Sequence, residues 1–312
     1  MYAFVFPGQG SQFIGMGQAF FDAFPIARAV FKEIDDALSQ HLSRLIFEGP
    51  EADLNLTENT QPALMAVSLA IIRVLEHEGG FKLHEKATLV AGHSLGEYSA
   101  IAAADGFTLA DTARLLRTRG AAMQKAVPVG MGSMAAILGV DFGQAQSLAE
   151  HAAQGQVCAV SNDNSPGQVV LSGHKEAIER AVAAAKEFGA SRAVQLTVSA
   201  PFHCELMTPA AEMMRKALAV ANLQKLSIPL IANVTAAAVQ EPEVIRDLLV
   251  QQVTGQVRWR ESVASFAKHG VQKVVEVGAG KVLTGLNKRI DADLESVTIN
   301  TPQDMEAFLK TL

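Results

Sequence analysis

Several classes of protein are excluded by what this chain lacks. It has only two cysteines, Cys158 and Cys204, in 312 residues. That is far too few for a disulfide framework and fits a reducing cytoplasm. No apolar run approaches the ~20 residues that a bilayer-spanning helix needs, so no membrane partner is expected. The start, Met1-Tyr-Ala-Phe-Val-Phe-Pro, has no basic stretch and reads as a first strand rather than a signal peptide. There is no C-x-x-C and no H-E-x-x-H, so no metal site is expected. Positive charge is also short: the formal net charge is −6, which argues against nucleic acid as a partner. Two phosphate-loop patterns begin and fail. After the first strand, Phe13 stands where a dinucleotide fingerprint needs a glycine three residues beyond Gly10. Gly278-Ala-Gly-Lys281 has one residue between its glycines where a P-loop needs four, and Val282 follows instead of Ser or Thr. That stretch reads as a strand-to-helix turn, and no cofactor is expected.

Apolar residues make up 49% and charged residues 19% of the chain, the balance of a folded protein with a sizeable core. Its most informative stretch is Ala87-Thr-Leu-Val-Ala-Gly-His-Ser94-Leu-Gly-Glu-Tyr-Ser-Ala. A short apolar strand, then Gly-x-Ser-x-Gly, then an Ala-rich helical run is the nucleophile-elbow pattern. The turn is so tight that side chains at the flanking positions would collide with neighbouring backbone, and glycine removes both collisions. Ser94 then stands at a helix N-terminus, where free N–H groups favour developing negative charge. Leu95, the residue after it, is where elbows place an oxyanion donor.

Elsewhere, Thr60-Gln61-Pro62 reads as the opening of a helix through Ala63 to Glu78, ended by Gly79-Gly80. Thr108-Leu-Ala-Asp111 opens another helix in capping-box style, carrying Arg114, Arg117 and Arg119. Taken alone, these read as solvated helix arginines. From Gly130 to Ser199 the order of elements is β-α-β-β-α-β, that of a ferredoxin-like unit, with Asn164-Ser-Pro-Gly as its central turn.

An activated serine needs a base, and histidine is the usual one near neutral pH. Of eight histidines, His93 adjoins Ser94 but points away from it at a strand end, where it could line the pocket. Five others sit in polar or helical surroundings. His203, in a loop after Pro201-Phe202, and His269, at a helix C-terminus, both remain candidates. Cys204 is the chain neighbour of His203 and reads as inert packing.

Six motifs in order, Phe6-Pro-Gly-Gln9-Gly-Ser-Gln, Gly92-His-Ser94-Leu-Gly-Glu-Tyr, Arg117-Thr-Arg119-Gly, Asn164-Ser-Pro-Gly-Gln168, Ala200-Pro-Phe-His203 and Val275-Glu-Val-Gly-Ala-Gly-Lys-Val-Leu, resemble the malonyl-CoA:acyl carrier protein transacylases of bacterial fatty acid synthesis. The likeness spans nearly the whole chain. It implies a ping-pong acyltransferase with malonyl-CoA and phosphopantetheinylated acyl carrier protein as partners, cytoplasmic and monomeric. Ser94 would be the nucleophile and His203 its base, oriented by the backbone carbonyl of Gln252. The N–H groups of Gln9 and Leu95 would form the oxyanion hole, and Arg119 would pair with the malonyl carboxylate. Phe202, Met123, His93 and Asn164 would border the acyl group. The expected fold is α/β: a large α/β-hydrolase-like body, residues 1–128 and 200–312, with an inserted ferredoxin-like (βαββαβ) small subdomain, residues 129–199. A serine esterase of the hydrolase class is the rival reading. It predicts a triad acid and a histidine close to the C-terminus, and neither stands out here.

Overall fold

The computed structural model describes residues 1–198 and 200–312. Ser199, the expected last residue of the insert, lies outside the described residues. Among the described residues ten strands occur in chain order: β1 Tyr2–Phe6, β2 Ala87–Gly92, β3 Gly132–Leu138, β4 Cys158–Ser165, β5 Gln168–His174, β6 Arg192–Gln195, β7 Leu230–Ile231, β8 Ala238–Val239, β9 Lys273–Val277 and β10 Glu295–Ile299. They form two sheets. The larger has the order β10-β9-β1-β2-β7-β8, with every pair parallel except β7 with β8. The chain is thus a mixed α/β protein with a mostly parallel main sheet.

Parallel strands covered by helices on both faces need apolar side chains on both faces, and β1 supplies them. Phe4 and Phe6 face one core, with Val90, Leu230 and Val275 from neighbouring strands and the long helix Thr57–Gly79. Ala3 and Val5 face the opposite core, with Leu89, Ala91, Trp259 and Phe266. Burying a phenylalanine contributes about 1.5–3 kcal/mol, so the period-2 alternation of β1 anchors both layers.

The helix expected to open at Pro62 instead begins at Thr57, with Pro62 inside it. Proline removes one helical hydrogen bond, but tight packing holds the extra turn in place. A Cβ added at Gly120 would lie 2.5 Å from Thr57 O and 2.7 Å from Glu58 Cα. Thr108 does cap its helix, Leu109–Lys125, by accepting from Asp111 N. The turn after β9 leads into the helix Val282–Ile290, as the Gly-Ala-Gly-Lys reading expected. A final helix, Pro302–Leu309, is capped reciprocally by Thr301 and Asp304 and was not foreseen.

The second sheet is antiparallel, in the order β4-β5-β3-β6. The β4 strand runs on to Ser165, so Asn164 is a strand residue and not part of the turn. The reversal falls at Pro166-Gly167, where Gly167 takes φ +73°. This sheet docks on the body through β4. Asp163 N donates to Val257 O at 3.0 Å and Val257 N to Ser161 O at 2.9 Å. Beside them, Arg260 grips the buried carboxylate of Asp163 through Nε and Nη2.

Candidate active site

The elbow follows from steric limits that can be read atom by atom. A Cβ on Gly92 would sit 1.9 Å from Gly96 O, and one on Gly96 would sit 2.3 Å from Phe6 O. Neither position accepts any other residue without backbone movement. Ser94, between them, is held at φ +53°, a region that non-glycine residues enter only under constraint. The constraint is Asn233, which accepts from Ser94 N through Oδ1 at 2.8 Å and donates to Gly92 O through Nδ2 at 2.7 Å.

The structure separates His203 from His269. His203 Nε2 lies 2.7 Å from Ser94 Oγ, and its Nδ1 lies 2.8 Å from Gln252 O and 3.2 Å from Gly255 O. Carbonyls only accept, so Nδ1 carries the ring proton and Nε2 presents a lone pair to the serine hydroxyl. His203 also has positive φ, +57°. Burial, and then the Arg119 cation, push it down to about 3, against the carbonyl contacts that raise it. The imidazole is therefore neutral at physiological pH. Cys204 turns away and donates to Pro201 O.

Arg119 is the main departure from the reading of its helix as solvated, for it is 1% exposed. Its Nη2 donates to Gln252 Oε1 at 2.7 Å and to Ser94 Oγ at 3.2 Å, and its Nη1 to Gln61 Oε1 at 2.8 Å. The guanidinium also lies over the Tyr98 ring, 5.6 Å from its centroid. Its acceptors are two amides and a hydroxyl; among the described residues no carboxylate pairs with it, and its Nε has no partner. Arg117 also departs from the solvated reading: it is half-buried and bonds to Asn59 and Gln40. Arg114 is exposed and pairs with Asp111.

Around Ser94 is a cavity of about 160 Å³ between the main sheet's loops and the small antiparallel sheet, lined by Gln9, His93, Asn164, Phe202 and His203 together with apolar side chains of the small sheet. Gln9 reaches it from the loop after β1, and its Nε2 donates to Thr57 Oγ1 at 3.4 Å. The backbone N–H groups of Gln9 and Leu95 make no hydrogen bond among the described residues. His93 points to the end of β4, with Nε2 2.8 Å from Asn164 Oδ1. Of the four residues expected to border the acyl group, Met123 alone does not line the cavity; Leu95, Arg119 and Gln252 also lie outside its lining, beside Ser94 and His203. Met123 is packed behind Gln61, which donates to its sulfur.

Three contributors escaped the sequence reading. Gln61 reads from the sequence only as part of a helix opening. Glu97 carries no role in that reading, although a carboxylate in an Ala-rich helix is a signal. Asn233 follows an apolar strand with nothing to mark it. Gln252 does more than expected: besides its backbone carbonyl, its side chain holds Arg119 through Oε1 and donates through Nε2 to Ser94 O at 2.9 Å.

The family model described as the acyl transferase domain matches residues 3–300. The chain is 46% identical over 309 residues to the malonyl CoA-acyl carrier protein transacylase of Escherichia coli K12, covering 99% of each. Among solved structures, the acyl-carrier-protein S-malonyltransferase from Bartonella henselae superimposes with a TM-score of 0.97 at 54% identity, covering 99% of this chain and 98% of that one. A malonyl-transacylase in complex with its type II PKS acyl carrier protein superimposes with a TM-score of 0.96 at 43% identity, covering 100% of this chain and 99% of that one.

Proposed function

The chain belongs to the acyl transferase domain family, and we infer from its site how it performs that family's chemistry. The protein is an acyltransferase that moves a malonyl group from coenzyme A to acyl carrier protein. The observation that carries the assignment of roles is the unbroken chain Ser94 Oγ, His203 Nε2, His203 Nδ1, Gln252 O, with a guanidinium 3.2 Å from the serine oxygen.

Ser94 Oγ attacks the thioester carbonyl carbon while His203 Nε2 takes its proton. The C–S bond then breaks, His203 returns the proton to the departing sulfur, and coenzyme A leaves as a thiol. A malonyl ester remains on Ser94. The phosphopantetheine thiol of the carrier then attacks that ester, giving its proton to His203, which passes it to Ser94 Oγ as the C–O bond breaks. Bonds and protons balance over the two halves, and no electrons are exchanged with a cofactor. The free N–H groups of Gln9 and Leu95 stabilise the oxyanion in both halves, such donors being worth ~3–4 kcal/mol each.

Arg119 receives the malonyl carboxylate, supported by its lack of a paired carboxylate in the resting site. That pairing would offset the cation that depresses His203, making the imidazole a stronger base when the correct substrate is bound. Phe202, His93 and Asn164 border the acyl group. Met123 shapes the site from behind, through Gln61.

The architecture fits a large α/β-hydrolase-like body, residues 1–128 and 200–312, carrying a ferredoxin-like insert, residues 129–199. Support comes from the elbow at the end of β2 and from the β-α-β-β-α-β order of the antiparallel sheet. We also read the protein as a cytoplasmic monomer, which sedimentation of the purified chain checks. The carrier belongs to fatty acid synthesis on this reading. The structural likeness to a transacylase bound to a type II PKS carrier keeps that second carrier class in play, and both are tested together.

The deciding experiment incubates the protein with malonyl-CoA and then with each carrier, weighing all proteins by mass spectrometry. A malonyl mass should appear on the peptide containing Ser94, pass to the carrier, and be absent from Ser94→Ala. A label on Cys204 instead would overturn the mechanism.

A further inference from the structure

Outside the lining of the cavity lies a buried carboxylate that none of the transfer steps uses. Glu97 is 1% exposed and sits in the first turn of the helix Gly96–Ala103. Its Oε2 accepts from Gln252 Nε2 at 2.5 Å and its Oε1 from Asn233 N at 3.2 Å. These are the two residues that hold the site together. Asn233 locks the strained elbow, and Gln252 holds His203 through its backbone and Arg119 through its side chain.

A glutamine amide can sit either way round, and its neighbours decide which way it faces. In the orientation found here, Nε2 meets two acceptors, Glu97 Oε2 and Ser94 O, while Oε1 meets a donor, Arg119 Nη2. Reversed, the amide would set its NH₂ against the guanidinium and its oxygen against a carboxylate and a carbonyl. All three contacts would turn repulsive. The carboxylate supplies a charge-assisted bond, which is roughly twice as strong as a neutral one.

We propose that Glu97 is a positioning residue for malonyl transfer: its ionised carboxylate fixes the Gln252 amide so that Oε1 faces Arg119 and holds the guanidinium beside Ser94. The proposal rests on the reading of Arg119 as the malonyl receptor. Glu97 touches neither substrate nor reacting atoms, so it acts only through Gln252. Burial raises its carboxyl to about 7, against the bonds from Gln252 and Asn233 and the attraction of Arg119 that lower it. Arg119, from the facing helix Leu109–Lys125, and Tyr98, on its own helix, are the charged or titratable groups near it; Gln252 and Asn233 are neutral. Protonation would weaken the contact, so positioning is half lost near pH 7, complete about one pH unit above it and lost well below it.

The test compares malonyl with acetyl transfer to the carrier in native protein, Glu97→Gln, Gln252→Ala and the double variant. A glutamine at 97 turns an NH₂ or a neutral oxygen towards Gln252 Nε2, so the malonyl preference should fall by about tenfold to a hundredfold. The loss should lie mainly in KM for malonyl-CoA, with acetyl transfer changing by less than about threefold. In the Gln252→Ala background the same change should have almost no further effect, since linked positions do not add. The native preference should fall as pH drops through about 7 and be flat in Glu97→Gln. A variant with the native preference, losses that add in full, or a native preference that is flat with pH would each overturn the proposal. If Glu97→Gln does not fold, Glu97→Asp replaces it; it keeps the charge but withdraws it by one methylene, and should show a partial loss in the same KM. Native protein that never places malonyl on Ser94 would instead overturn the proposed function, whatever Glu97 does.

Discussion

Replacing Arg119 by alanine separates a malonyl transferase from a general acyl hydrolase more sharply than any change at Ser94. Malonyl carries a carboxylate at the end opposite its thioester, and acetyl carries none. In the structure the guanidinium is fixed by Gln61 and Gln252 and lies 3.2 Å from the nucleophile. On the proposed role, a carboxylate extending from an acyl group on Ser94 would meet N–H groups of this buried guanidinium. Losing one partner of such a charge pair costs about 2–5 kcal/mol, which is about thirtyfold to several thousandfold in rate.

Acetyl transfer has no such contact to lose, and Arg119→Ala removes the cation that helps depress His203. Acetyl transfer should thus be spared or improved while malonyl transfer collapses. Arg119→Lys should recover little, because an ammonium cannot make the two parallel bonds of a guanidinium. The assay is the ratio of malonyl to acetyl transfer onto the carrier, with a thermal melt as control. Two amide oxygens left without donors would each cost about 1–3 kcal/mol of stability, so some loss in Tm is expected. Equal falls for both substrates would refute the reasoning and return Arg119 to a structural role.

Phe202 borders the cavity next to His203, and Phe202→Ser should admit methylmalonyl-CoA better relative to malonyl-CoA by about tens-fold, one methyl group being worth ~1–3 kcal/mol; unchanged competition kinetics would remove Phe202 from the acyl wall. His203 is lowered from 6.5 to about 3 on folding, so the unfolded chain binds the extra proton first, and this site costs stability progressively as pH falls from about 6.5 towards 3. Denaturant melts of native protein and His203→Gln should diverge in that window and run parallel above it. Gly92→Ala and Gly96→Ala should each lower Tm sharply or leave no folded protein, because the new Cβ meets backbone at 1.9 Å and 2.3 Å; a near-native melt in either would show that the elbow is looser than described.

What the sequence made legible was what is local. Gly92, Ser94 and Gly96 lie within one turn, and their steric requirement can be read from spacing alone. The alternation in β1 likewise declares two covered faces before any partner is known. The Arg119 cradle was not legible from spacing, because Gln61, the pair Glu97 and Tyr98, and Gln252 converge from three separate helices. A buried arginine on a helix reads like an exposed one until its neighbours are known. Pro62 and Asn164 misled for a related reason. Each has a strong local preference, for a helix start and for a turn, and each is overruled by packing. Gly120 presses on the turn before Pro62, and β4 continues through Asn164 alongside β5.

The short connection from Gln252 to Arg260 has a consequence for how the enzyme can move. Its first residues offer the carbonyls that aim the imidazole of His203, Val257 pairs with the edge strand of the small sheet, and Arg260 clamps Asp163. Anchor and aim are therefore parts of one strap. A tilt of the small sheet large enough to widen the cavity along this edge would pull on the same backbone that points the base at Ser94, disarming the enzyme as it opened. The opposite rim of the cavity, around Leu196 and Phe202, lies off this strap, and room for a long pantetheine arm is expected to come from there. Amide exchange should follow that division, slow along 252–260 and β4 and faster along β6.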